Sequence, residues 1–213
     1  MTHRCLVLMS VSLCLIAVLL PGCVPVREPL SDPDKAEPDK RLLGKWQDGD
    51  ARCEIDSPAV KGSPKGLMRA VSKGHPDNPP GVLWFFTTTI GKQTYATIYL
   101  EANADKDLPQ FADFRNEGAF EKWNKGKNRR YFIVRFMVDG DELTVDGGDG
   151  KLVKKLMQAE KIIEGEQLIA ESRYFKTPAG WLARYLEKNG PEKLYNGKLV
   201  EEWQRPKKQR KAK

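Results

Sequence analysis

Apolar and polar positions alternate most clearly over residues 130–138. There Phe132, Val134, Phe136 and Val138 fall on one side of an extended chain, and Tyr131, Ile133, Arg135 and Met137 on the other. Successive side chains of a strand point to opposite faces, so the purely apolar set predicts a wall facing a core. Residues 93–101 repeat the pattern, with Ala96, Ile98 and Leu100 opposing Tyr95, Thr97 and Tyr99. The same reading predicts further strands over 45–47, 51–56, 82–90, 142–146, 166–175 and 198–205, which makes eight. Asp48-Gly49-Asp50, Gly91-Lys92 and Asp139-Gly140 stand between consecutive strands as turn signals. The expected fold is mainly β (α+β): an antiparallel barrel or strongly curved sheet of about eight strands, with two short helices inserted late in the chain.

The helices follow from a longer period. Asp149 is placed to cap a helix striped by Leu152, Val153, Leu156 and Met157. Thr177-Pro178 opens another, striped by Trp181, Leu182, Tyr185 and Leu186 and stopped by Asn189-Gly190-Pro191. Phe120 and Trp123 are read onto a short helix within 108–125, and the Gly-, Pro- and Lys-rich stretch 58–80 as a mobile loop.

The first 22 residues follow a different rule. MTHR carries one firm positive charge, Cys5 to Leu20 carries none, and Pro21-Gly22 breaks the run. This is the order of an export signal, and the run is short of the roughly 20 apolar residues that a spanning helix needs. Leu20-Pro21-Gly22-Cys23 resembles the lipobox of bacterial lipoproteins, with Leu20, Gly22 and Cys23 matching and Pro21 departing from the usual small or β-branched residue. The resemblance implies that Cys23 receives a diacylglycerol thioether and becomes the first residue after cleavage. Ordinary secretion is the alternative, with Cys23 and Cys53 free to pair; acylation of the Cys23 sulfur excludes that bridge. Four prolines and many charges between Val24 and Lys40 predict an extended tether. The expected organisation is a signal peptide at 1–22, a tether at 23–40, a β-rich domain at 41–205 and a basic disordered tail at 206–213.

Charge adds less than its total of +7 suggests. Arg205, Lys207, Lys208, Arg210, Lys211 and Lys213 lie in the last nine residues; without them and Arg4, residues 23–204 hold 29 basic and 29 acidic side chains. The body is neutral, which argues against nucleic acid as a partner. The tail is expected to be drawn to anionic lipid or wall polymer.

Gly44-Lys45-Trp46 resembles the G-x-W signature of lipocalin-like barrels, in which a Trp closes one end of the barrel under a basic residue of the last strand. The resemblance implies that Trp46 and Arg205, with Lys198 as the other candidate cation, close this barrel. More broadly the chain resembles small bacterial lipoproteins that combine G-x-W, a V-D-G-D-x-L-T-like hairpin and a helix opened by T-P before a last strand. Here those are Gly44 to Trp46, Val138 to Val145, and Thr177 to Gly190 followed by Leu194 to Trp203.

Few residues invite chemistry. His3 belongs to the signal and His75 sits in a loop without a nucleophile motif. Asp139, Asp141, Glu142, Asp146 and Asp149 are spaced for a hairpin and a helix cap rather than for a calcium loop. Lys122, Lys125, Lys127, Arg129 and Arg130 near Trp123 and Tyr131 read as a solvated loop before a strand. Trp84, Phe86, Tyr95, Tyr99 and Tyr131 are candidates to line a cavity for a small apolar ligand. The expectation is a lipid-anchored cell-envelope protein on the exported side, periplasmic or extracellular. Its role is binding or structural, with no catalysis, cofactor or metal, and its partner is the membrane, through the lipid on Cys23, together with an envelope component or small ligand. Two alternatives stand beside it: an envelope hydrolase using paired carboxylates drawn from Glu101, Asp105 and Asp107, and an adhesin that grips anionic polymer with its tail.

Overall fold

A computed structural model describes residues 24–73, 81–101, 111–126, 129–149, 152, 155–156, 180–197 and 200–206. Its strands are β1 (Val24–Val26), β2 (Gly44–Asp48), β3 (Ala51–Asp56), β4 (Met68–Lys73), β5 (Gly81–Ile90), β6 (Gln93–Leu100), β7 (Arg130–Asp139), β8 (Glu142–Asp146) and β9 (Val200–Gln204). They form one sheet in the order β1-β7-β6-β5-β4-β3-β2-β9-β8, and β8 returns to pair with β7. Strands β2 to β9 thus close an eight-stranded antiparallel barrel in which each strand lies beside its neighbours in sequence, the arrangement of a lipocalin-like fold. Two-residue loops join β2 to β3, β5 to β6 and β7 to β8, at Gly49-Asp50, Gly91-Lys92 and Gly140-Asp141. The ring is fastened unevenly. β6 and β7 pair from Thr94 to Leu100, whereas β2 meets β9 at the single position Gln47↔Gln204.

Alternation sorts the side chains into two buried layers. Trp46, Cys53, Ile55, Met68, Phe85, Ile98, Phe132, Phe136, Leu143 and Trp203 belong to one cluster fed by all eight barrel strands, which is the lumen. The other cluster joins the outward residues of β5, β6 and β7 to segments that are not part of the barrel. Among these are α1 (Ala119–Lys125), which holds Phe120 and Trp123, and α2 (Trp181–Asn189), which buries Trp181, Leu182, Tyr185 and Leu186.

The structure differs from two sequence expectations. β4 lies inside the stretch read as a loop, because Met68 and Ala70 alternate inward while Gly and Pro on either side dominate the composition. Residues 24–43 are no tether: β1 pairs with Tyr131 to Ile133, and Val26, Leu30, Ala36 and Leu42 are buried. The prolines and acids of that segment are turn formers, Pro33 opening a 3-10 turn (Pro33–Lys35) whose cap Asp32 accepts from the Asp34 amide. Gly66 lets this strap lie flat, since a Cβ there would stand 2.5 Å from the Ala36 carbonyl. α1 falls where Phe120 and Trp123 are read onto a short helix within 108–125. Of the helix expected after Asp149 only fragments are described, with the Asp149 carboxylate accepting from the Leu152 amide at 3.2 Å. The strand expected over 166–175 and most of the tail lie outside the described residues.

Candidate functional site

The strap crosses one end of the barrel and builds its closure. Leu42 drops into the lumen, and the Trp46 indole N–H donates to its carbonyl at 2.8 Å. Arg205, the first residue after β9, lays its guanidinium over the Trp46 ring with 4.3 Å from Cζ to the centroid. The same group donates from Nη1 to the Leu43 carbonyl at 3.1 Å and from Nη2 to the Arg41 carbonyl at 2.8 Å. Its Nε stands 3.6 Å from an Asp141 carboxylate oxygen. Gly44 is required for this approach: its φ is +117°, and a Cβ would lie 2.9 Å from Nη1 of Arg205. A cation over an indole contributes about 0.5–2 kcal/mol, and here it also holds the backbone carbonyls of Arg41 and Leu43. Lys198, the other cation considered, lies outside the described residues.

Beside this closure a cleft of about 560 Å³ opens between the strap and the end of β5, lined by Ser31, Asp32, Lys35, Glu37, Asp39 and Thr88 among others. The Ser31 and Thr88 hydroxyls share a hydrogen bond of 2.6 Å, and the Thr87 hydroxyl donates to the Glu37 carbonyl at 3.3 Å. Arg41 donates to Asp39 at 3.0 and 2.6 Å and to the Thr94 hydroxyl at 2.9 Å. Hydrogen bonding from that guanidinium holds the Asp39 carboxyl below the usual range. The walls are hydroxyls, carboxylates and cations already engaged with each other, a lining that suits a polar surface ligand better than an apolar one.

The lumen is occupied by side chains. Trp46, Met68, Phe85 and Leu100 are fully buried in it, and Phe85 meets Phe136 edge-on at 5.8 Å and 82°. At the other end of β9's inward face the Trp203 indole donates to Glu201 at 3.4 Å. Burial raises the Glu201 pKa, with the negative charge of Asp48 adding to it. Cys53 also faces the lumen, and desolvation pushes its thiol up to about 12.

The five aromatics considered as cavity lining are on the other side of the wall. Leu83 and Phe85 point inward on β5, so Trp84 and Phe86 point outward, and Tyr95, Tyr99 and Tyr131 do the same on β6 and β7. Tyr99 is the hub of this layer, with the rings of Phe86, Phe114, Phe120, Trp123 and Tyr131 at 4.9 to 5.9 Å. Desolvation raises the Tyr99 hydroxyl and pushes those of Tyr95 and Tyr131 up to about 12. They are packed cover for the barrel.

One polar constellation was not singled out from the sequence. Arg135 and Asp146, a cross-strand pair between β7 and β8, are 6% and 0% exposed. Arg135 Nη2 donates to Asp146 at 3.0 Å and to the Tyr195 carbonyl at 3.3 Å, and Nη1 to Glu192 at 3.3 Å. Asp146 also accepts from the amides of Gly148 and Gly197 at 3.0 and 3.3 Å, so one carboxylate ties both ends of the β8–β9 connection to the wall. The available signal was Arg135, a lone Arg in the apolar alternation of 131–138.

The acids weighed for calcium are dispersed: Asp141 faces Arg205, Asp146 binds Arg135 and Asp149 caps a turn. Among the described residues no three His, Cys, Asp or Glu side chains converge as a cation site. Glu101 follows β6, while Asp105, Asp107 and His75 lie outside the described residues. Arg130 is buried, and Arg129 donates to Asn124 at 3.1 Å. Among the described residues no helix is long and apolar enough to cross a membrane. Comparison with family models, with curated proteins and with solved structures returned no match.

Proposed function

We propose that this is a lipid-anchored cell-envelope protein whose closed barrel has a binding or structural role, meeting its partners on its outer surface. The observation that carries the reading is the position of Cys53. A disulfide needs Cα atoms within about 7 Å, and one residue reaches 3.8 Å. Val24 is paired to β7, four strands around the ring from β3, and Cys53 on β3 points into the lumen. A bridge from Cys23 to Cys53 would have to pass through the packed interior, which leaves the thioether as the favoured fate of the Cys23 sulfur. The filled lumen supports the surface as the place of contact, and the polar cleft beside Arg41 is a candidate there. Intact mass of protein extracted from membranes tests the anchor. The expected product starts at Cys23 and carries the added diacylglycerol and acyl mass, and Cys23→Ser protein is recovered without it. A product that starts elsewhere or shows a bare Cys23 thiol refutes the reading.

A further inference from the structure

Most polar groups of the cleft beside Arg41 are spent on one another, and this fixes its two walls. On the strap, Asp32 accepts from the Asp34 amide at 3.1 Å, and Asp39 is held by Arg41. The Ser31–Thr88 bond and the bond from Thr87 to the Glu37 carbonyl tie the strap to the end of β5. A lining ordered by its own bonds loses little freedom when a ligand arrives. Three groups keep capacity to spare. The Glu37 carboxylate and the Thr89 hydroxyl are exposed and bond to no other described side chain. The Lys35 ammonium, on a side chain 84% exposed, meets only Asp32 among the described residues, at 3.7 Å.

This lining selects among ligand classes. Among the described residues it holds no aromatic ring, and its one apolar side chain, Ala36, is buried, so an apolar molecule or a stacking base finds no surface there. Asp32, Glu37 and Asp39 outnumber Lys35 and Arg41, so a polyanion meets net repulsion. No three acids converge on a cation among the described residues. An uncharged ligand whose groups both donate and accept does fit, because adjacent hydroxyls of a sugar give their protons to Glu37 and accept from Thr89 and Lys35. With about 560 Å³, the cleft has room for roughly two such rings.

We propose that this cleft binds a neutral, polyhydroxylated ligand, a short stretch of glycan, with Glu37 as acceptor and Thr89 and Lys35 as donors. The proposal rests on the outer-surface binding role given above and is independent of the lipid on Cys23. With no ring to stack on, its affinity falls in the millimolar range.

The test uses isotope-labelled full-length protein extracted from membranes in a sugar-free detergent, its amide resonances followed by NMR. It is titrated with the neutral disaccharides N,N′-diacetylchitobiose and maltose, and with digalacturonate as the anionic counterpart. At least one neutral sugar should shift the amides of Glu37, Thr88 and Thr89 saturably, and digalacturonate should bind several-fold more weakly. Raising the salt to about 0.5 M should change the neutral sugar's affinity by less than about twofold. Glu37→Gln removes the charge and Thr89→Val the hydroxyl, each at nearly constant shape. Each should weaken binding about fivefold or more at unchanged Tm. No saturable shift from either neutral sugar up to about 100 mM overturns this inference alone. Tighter binding of digalacturonate, or full binding by both variants, does the same. Shifts confined to lumen amides such as Ile98 and Phe132 overturn it together with the outer-surface role. A wall polymer and a glycolipid headgroup offer the same chemistry. Soluble oligomers of a neutral wall glycan and micelles doped with a neutral glycolipid tell them apart, since one of the two should reproduce the shifts; shifts from neither overturn an envelope glycan as the ligand.

Discussion

The two buried layers on either side of the barrel wall are built by different rules. All eight strands feed the lumen, and its members are almost wholly aliphatic or aromatic. The apolar residues of the outer layer come from β5, β6 and β7 of the barrel and otherwise from the strap, Leu67, Ala112, Phe114, α1, α2 and the Leu194-Tyr195 turn. It is polar in a way the lumen is not: Arg135 and Asp146 are buried there, and Thr97 Oγ1, the Tyr99 hydroxyl and Arg135 Nε have no hydrogen-bond partner among the described residues. The lumen is specified by alternation within strands, where shape and burial suffice. The outer layer must hold irregular segments in place, and directional bonds and edge-on rings do that where a strand ladder does not.

Substitution can break this contrast. Trp46→Ala should be the most damaging, removing a lumen ring together with the partner of Arg205, at about 3–5 kcal/mol. That is a fall in Tm on the order of 10 °C for a chain of this size. Trp123→Ala, in the outer layer and half-buried, should cost less than half as much; equal losses by thermal denaturation would abolish the distinction. Asp146→Ala comes next, at about 3 kcal/mol, because it removes the buried partner of Arg135 and leaves that charge only the exposed Glu192. Adding Arg135→Met should recover most of that loss, and a double variant no better than the single one would show that Asp146 acts through the loop amides instead. Arg205→Ala should cost about 1–2 kcal/mol, read as a lower urea midpoint at unchanged slope.

The smallest effect concerns Glu201, the acid that accepts from the Trp203 indole. Its folded-state pKa is raised, so the folded protein holds the proton more tightly than the unfolded chain, and its contribution falls as pH climbs through that pKa. Glu201→Gln should raise Tm at pH 7 by roughly 1–2 °C, with the gain vanishing below the ordinary carboxylate range. A gain that persists at low pH would point to packing rather than charge.

Alternation made the barrel readable. Phe132, Val134 and Phe136 were assigned inward from spacing alone, and three hairpins lay between the right strands because turn chemistry is local. Trp84, Phe86, Tyr95, Tyr99 and Tyr131 were misplaced because alternation separates two faces without saying which one is covered from outside. That cover comes from 24–43, 111–125 and 181–195, whose apolar residues are few and scattered among prolines and charges. For the same reason β4 and the strap were hidden: in short segments of mixed composition, two or four buried residues decide the structure, and an average over the window loses them. The closure was legible at Trp46 and Arg205, but its backbone acceptors at Arg41 and Leu43 carry no sequence signal.

The lone paired position between β2 and β9 gives the barrel a seam. Seven neighbouring strand contacts are laced along their length, while this one is held mainly by the Arg205 side chain reaching across to the Arg41 and Leu43 carbonyls. Breathing should start there, with amides of Gly44 to Asp48 exchanging with solvent ahead of those in β6 and β7, so that the wall opens as a hinged flap along one line.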